Sequence, residues 1–106
     1  MKNEILRLLE KAQGKFYNLD IFNQEEDTNN TELLSESESL LLEAINKLKN
    51  DNQVIKKQVL TLVKRICANI NDIKPLDPAK DVDNAQLVSE SKNLLMLAIH
   101  KLKHDA

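Results

Sequence analysis

His100 and His104 stand four residues apart in the segment AIHKLKHDA, residues 98 to 106. On an α-helix that spacing puts both imidazoles on one face, where together they could hold a Zn2+ or Ni2+ ion. Two ligands do not complete a site, and no Asp or Glu is spaced to add a third; Asp105 falls on another face. Imidazoles in a last helical turn also favour the negative end of the helix dipole, which accounts for the pair without a metal. The other reactive side chains are isolated in the same way. Ser37 and Ser91 fall on an apolar stripe with no His near their level to act as a base, so they read as small spacers whose hydroxyls bond the carbonyl one turn back. Cys67 has no neighbour that would lower its thiol pKa and reads as a packing residue at a stripe's edge. Glu36 and Glu90 flank the stripe and suit pairing with lysines of neighbouring helices. No Glu-x-x-His pair of the di-iron bundles is present. These residues predict no catalytic, metal or cofactor site.

The order His100, Lys101, Leu102, Lys103 resembles the His-x-Leu-Lys segment of histidine phosphotransfer domains, helical bundles with an exposed histidine. That resemblance implies a phosphoacceptor role for His100. It covers three informative residues, and His104 replaces the small residue usual after the lysine. Lys101, Leu102 and Lys103 also copy Lys47, Leu48 and Lys49, so only His100 is new.

That copying runs through the chain. Shifted by 54 positions without a gap, residues 1 to 52 align with residues 55 to 106, and 17 of the 52 pairs are identical. The stretch SESESLLLEAINKLKND, from Ser35, returns as SESKNLLMLAIHKLKHD, from Ser89, and the register also matches Asp27 with Asp81 and Asn30 with Asn84. This reads as the tandem duplication of a helical hairpin, with repeats at 1–52 and 55–106 in one domain. Two helices cannot enclose a core, so joining two copies buries stripes that each would leave wet, as in an ancestral dimer made intramolecular.

Each half carries two helical patterns. Ile55, Val59, Leu62, Val63, Ile66, Ile70 and Ile73 recur at spacings of three and four, as do Ile5, Leu8, Leu9, Ala12, Phe16 and Leu19. Pro75 stops the third helix near Ile73 or Lys74, and Gly14 is expected to fray the first. Asn29 with Glu32 and Asp83 with Gln86 have capping-box spacing and predict the starts of the second and fourth helices. Stripes follow at Leu33, Ser37, Leu40, Leu41, Ala44, Ile45 and Leu48, and at their counterparts from Leu87 to Leu102. The short link at Asn50, Asp51 and Asn52 makes helices two and three antiparallel neighbours. With 42% apolar residues, one Gly and two Pro in 106 residues, the chain has little material for the turns of a sheet protein. The fold expected is all-α, an antiparallel four-helix bundle of two tandem hairpins.

The surface carries the functional expectation. Leu42 and its counterpart Met96 fall outside the stripes, with Leu97 and His100 beside Met96, and are expected to form an exposed apolar interface for a homodimer or another protein. Lys47, Lys49, Lys56, Lys57, Lys101 and Lys103, with Lys2, gather at one bundle end and could dock an acidic partner or nucleic acid. That end has no Arg and no aromatic for base stacking, which disfavours nucleic acid. Eight acidic residues and no Lys or Arg lie between Phe16 and Asn46. The N-terminal MKNEILRLLEK has charges among its apolar positions, unlike a signal peptide or membrane span, and the single cysteine suits a reducing cytoplasm. Together these predict a non-enzymatic adaptor, inhibitor or immunity-type protein that binds a macromolecule and self-associates, with nucleic-acid regulation and phosphotransfer as alternatives.

Overall fold

A computed structural model describes residues 2–49, 53–73 and 76–104. The link at Asn50, Asp51 and Asn52, the stop at Lys74 and Pro75, and Asp105 lie outside the described residues. Helices α1 (Lys2–Tyr17), α2 (Asp27–Leu48), α3 (Val54–Ile73) and α4 (Asp81–Lys103) follow one another, and no strand occurs among the described residues. α1 packs on α2 and α3 on α4, and each hairpin also meets the other through α1 with α4 and α2 with α3. The result is an all-α four-helix bundle of 43 × 20 × 19 Å in which α2 and α4 occupy opposite corners.

The stripes bury as their spacing requires. Ile5, Leu9, Ala12 and Phe16 of α1, Leu41 and Leu48 of α2, Val59, Val63, Ile66 and Ile70 of α3, and Leu95 and Leu102 of α4 are all fully buried. In α2 and α4 the buried line is turned from the predicted one. Leu34 and Val88 are buried, whereas Leu33, Leu87, Leu40 and Leu94 are half-buried. Leu33 and Leu40 line the seam between α1 and α2, so they cover the side of the hairpin instead of its centre.

Three local expectations are corrected. α2 and α4 begin at Asp27 and Asp81, two residues before Asn29 and Asp83, and each continues a single 3-10 turn, Gln24–Glu26 or Pro78–Lys80. The caps sit upstream: the Asn23 side-chain oxygen accepts from the Glu25 N–H at 3.1 Å, and Asp77 accepts from the Ala79 N–H at 3.0 Å. The capping boxes are therefore inside the helices, and Asn29 donates its amide to Glu26 instead, at 3.2 Å. Gly14 does not end α1, which runs on to Tyr17, because the next turn is held by buried Phe16 and by the Lys15–Glu36 ion pair at 2.8 Å.

Three buried amides, Asn30, Asn69 and Asn84, escaped the pattern of apolar residues, and two of them stand at matching places in α2 and α4. Asn30 is fully buried on α2; its Nδ2 donates to the Asp20 carbonyl at 2.8 Å and its Oδ1 accepts from the Asp20 N–H at 2.9 Å. This clamp fastens the α1–α2 loop to the bundle. Asn84 is buried at the equivalent place in α4, and its Nδ2 meets no acceptor among the described residues. The counterpart of Asp20 there is Lys74, outside the described residues.

Local geometry repeats at the offset of 54 even where side chains differ. The two 3-10 turns do so with their Asn23 and Asp77 caps, and Lys47 reaches Glu4 at 3.0 Å as Lys101 reaches Gln58 at 3.1 Å.

Candidate interaction surfaces

Along the outer side of α4, Met96 is 52% and Leu97 44% exposed, and with Asn93 and His100 they line a shallow apolar depression. Leu42 of α2 is also 52% exposed. Since α2 and α4 stand at opposite corners, Leu42 does not adjoin Met96, and the contiguous patch expected of that pair is two separate surfaces.

One turn before Met96, Lys92 joins α4 to α1. Tyr17 is 55% exposed and its ring lies under the Lys92 ammonium, 5.1 Å from the ring centroid. Lower on the same flank Lys103 approaches Glu10 at 3.8 Å. Tyr17 follows the buried Phe16, so nothing in the α1 stripe marks it; only the packing of α1 beside α4 brings it to this face. The side of the bundle opposite carries other chemistry at corresponding positions. Where this face has Tyr17, Lys92, Met96, Leu97 and His100, the α2–α3 side has Asn71, Glu38, Leu42, Glu43 and Asn46.

At the end of this strip the His100 and His104 rings are tilted at 46° with centroids 4.3 Å apart. Both are exposed, and among the described residues no third His, Cys, Asp or Glu gathers with them in a metal-binding group. Their contact is with each other and with the last turn of α4, where the backbone N–H of His104 donates to the His100 carbonyl at 3.1 Å.

The lysines at the bundle end are partly engaged within the molecule. Lys47 pairs with Glu4, a contact that holds the Glu4 carboxyl below and the Lys47 ammonium above their usual ranges, chiefly through the hydrogen bond between them. Lys101 donates to Gln58, Lys103 lies near Glu10, and Lys56 is buried. Lys49 and Lys57 remain exposed. Exposed ion pairs such as these contribute little to stability, but they reduce the positive potential that the sequence alone suggests.

The two hairpins treat the glutamates beside their serines differently. Glu36 pairs with Lys15, on the rim of an open groove of about 740 Å3 whose lining includes Lys11, Gly14, Leu33 and Leu40. Glu90, the counterpart, accepts from Asn69 and from Arg65, both at 3.1 Å, instead of from a lysine. Those two bonds, Asn69 first, hold the Glu90 carboxyl below the usual carboxylate range. Buried Asn69 also donates to Ser91 Oγ at 3.2 Å, so this serine accepts from a neighbouring helix as well as serving as a spacer.

Cys67 is more enclosed than a stripe-edge residue, at 9% exposure. Burial, reinforced by the negative charge of Glu38, pushes its thiol up to about 11. The thiolate that nucleophilic chemistry needs is therefore scarce at neutral pH. Among the described residues, no helix is long and apolar enough to cross a membrane. In comparisons with known proteins, no family model, curated protein or solved structure matches the chain significantly.

Proposed function

We propose that this protein is a non-catalytic binding module that engages another macromolecule, including copies of itself, through the α1–α4 face. The observation that carries this reading is the exposed pair Met96 and Leu97, in one apolar depression with Asn93 and His100, one helical turn from Lys92 and the exposed Tyr17 ring beneath it. Tyr and Met are enriched at protein interfaces, and an apolar centre beside Lys92 suits a partner that is apolar and acidic. Leu42 belongs to the opposite side, among acidic and amide residues, and serves as an internal control.

The lysine-rich end supports a nucleic-acid role less well, because Lys47 and Lys103 already face Glu4 and Glu10. An adaptor, inhibitor or immunity-type role in the cytoplasm fits a module of this kind. The test is co-purification from the native host with three baits: wild type, Met96→Glu with Leu97→Glu, and Leu42→Glu. A partner retained by wild type and by Leu42→Glu but lost with the double variant supports the reading. Equal recovery by all three contradicts it.

A further inference from the structure

The chain carries, on its own α1–α2 loop, a surface complementary to the α1–α4 face. Phe22 in this loop is 65% exposed. Its counterpart at the offset of 54, Leu76, is half-buried and packs against the core. Around Phe22 stand Asp20, Glu25 and Glu26, where the other loop has Lys74, Ala79 and Lys80. The two loops have thus diverged in charge and in what they expose. Between α2 and α4 the divergence runs the other way: Glu38 and Glu43 correspond to Lys92 and Leu97.

The Phe22 loop is also held in place. Beside Phe22, Ile21 is buried at 6% exposure, the Asn30 clamp fixes the backbone of Asp20 on one side, and the Asn23-capped 3-10 turn fixes the other. An aromatic side chain presented outward on a fixed backbone loses little conformational freedom when it docks.

We infer that a second copy of this chain occupies the α1–α4 face by inserting its Phe22 loop, with Phe22 in the depression of Met96 and Leu97. The acids Asp20, Glu25 and Glu26 of that loop then meet Lys92, the cation one turn before Met96 on α4. The contact joins two different surfaces, so each copy offers one of each, and it closes reciprocally as a two-fold dimer or a ring, or propagates head-to-tail. Rising salt weakens it by screening the loop's acids from Lys92.

This inference rests on the α1–α4 face being an interface, and a mixing experiment separates the two. Phe22→Ser spoils only the loop; Met96→Glu with Leu97→Glu spoils only the face. Each variant is first shown by circular dichroism to remain helical, and each is then sedimented at concentrations up to several hundred micromolar, alone and mixed. The expected result is concentration-dependent wild-type oligomers, self-association weakened by about tenfold or more in each variant alone, and a 1:1 dimer in the mixture, where the intact loop of one meets the intact face of the other. If Phe22→Ser assembles like wild type while the face variant does not, the face stands as an interface and the loop is not its occupant. If both variants assemble like wild type, neither idea survives. A wild type that stays monomeric throughout overturns the inference.

Discussion

The Lys92 ammonium of α4 lies 5.1 Å from the centre of the Tyr17 ring of α1, joining the last helix to the first. An exposed cation–π pair of this kind contributes about 0.5 to 1 kcal/mol. A double-mutant cycle with Tyr17→Leu and Lys92→Gln, read by urea unfolding, is expected to give a coupling of roughly that size. Additive effects would mean that the two side chains do not interact in solution.

Asn30→Ala removes both hydrogen bonds to the Asp20 backbone and leaves that loop without its clamp. The expected loss is about 1 to 3 kcal/mol, since the variant also strips a buried site of its polar partner. Hydrogen exchange should speed up around Asp20 more than at the middle of α2. Unchanged stability and unchanged loop protection would contradict the clamp.

Gly14→Ala is expected to raise stability. A Cβ built on Gly14 meets nothing within 4 Å, and the position lies inside α1, where Ala is favoured over Gly by about 0.5 to 1 kcal/mol. Thermal unfolding should move up by several degrees. A fall in Tm would mean that the helix needs the glycine for a reason its backbone does not reveal.

The Glu90 carboxyl titrates below the ordinary range because Asn69 and Arg65 bond its charged form. A carboxylate with a depressed folded-state pKa stabilises the fold above its unfolded value of roughly 4.3, and that stabilisation is lost as pH falls through the lower folded value. Asn69→Ala removes the larger cause, so the Glu90 midpoint should rise toward the ordinary value in a carboxyl NMR titration. A midpoint that does not move would assign the depression to Arg65 alone.

The helices, their order and most of the core were legible because apolar spacing of three and four residues reports burial directly. Ile5, Leu9, Phe16, Val63 and Ile70 are buried where that spacing puts them. Asn30 and Asn84 break the pattern: a polar residue at a core position is invisible to hydrophobic periodicity, although the identity of the two across the repeat was a signal that could have marked them. The helix starts were misread because the caps act through a 3-10 turn, which moves the capping residue to Asn23 and Asp77. Exposure of Leu42, Met96 and Leu97 follows from their angle on each helix. That Leu42 and Met96 lie on different sides, and that Tyr17 joins Met96's side, depends on which helices are neighbours, which a single-helix pattern does not encode. That Glu4 and Glu10 of α1 reach Lys47 and Lys103 depends on the same helix neighbours.

The central claim is that the α1–α4 face, and not the Leu42 side, is the surface this protein uses to associate. Sedimentation equilibrium of wild type, Leu42→Glu, and Met96→Glu with Leu97→Glu, over a wide concentration range at low salt, tests it most directly. The prediction is that wild type and Leu42→Glu self-associate alike while the α4 variant remains monomeric. Loss of association with Leu42→Glu alone, or the same behaviour in all three proteins, would contradict it.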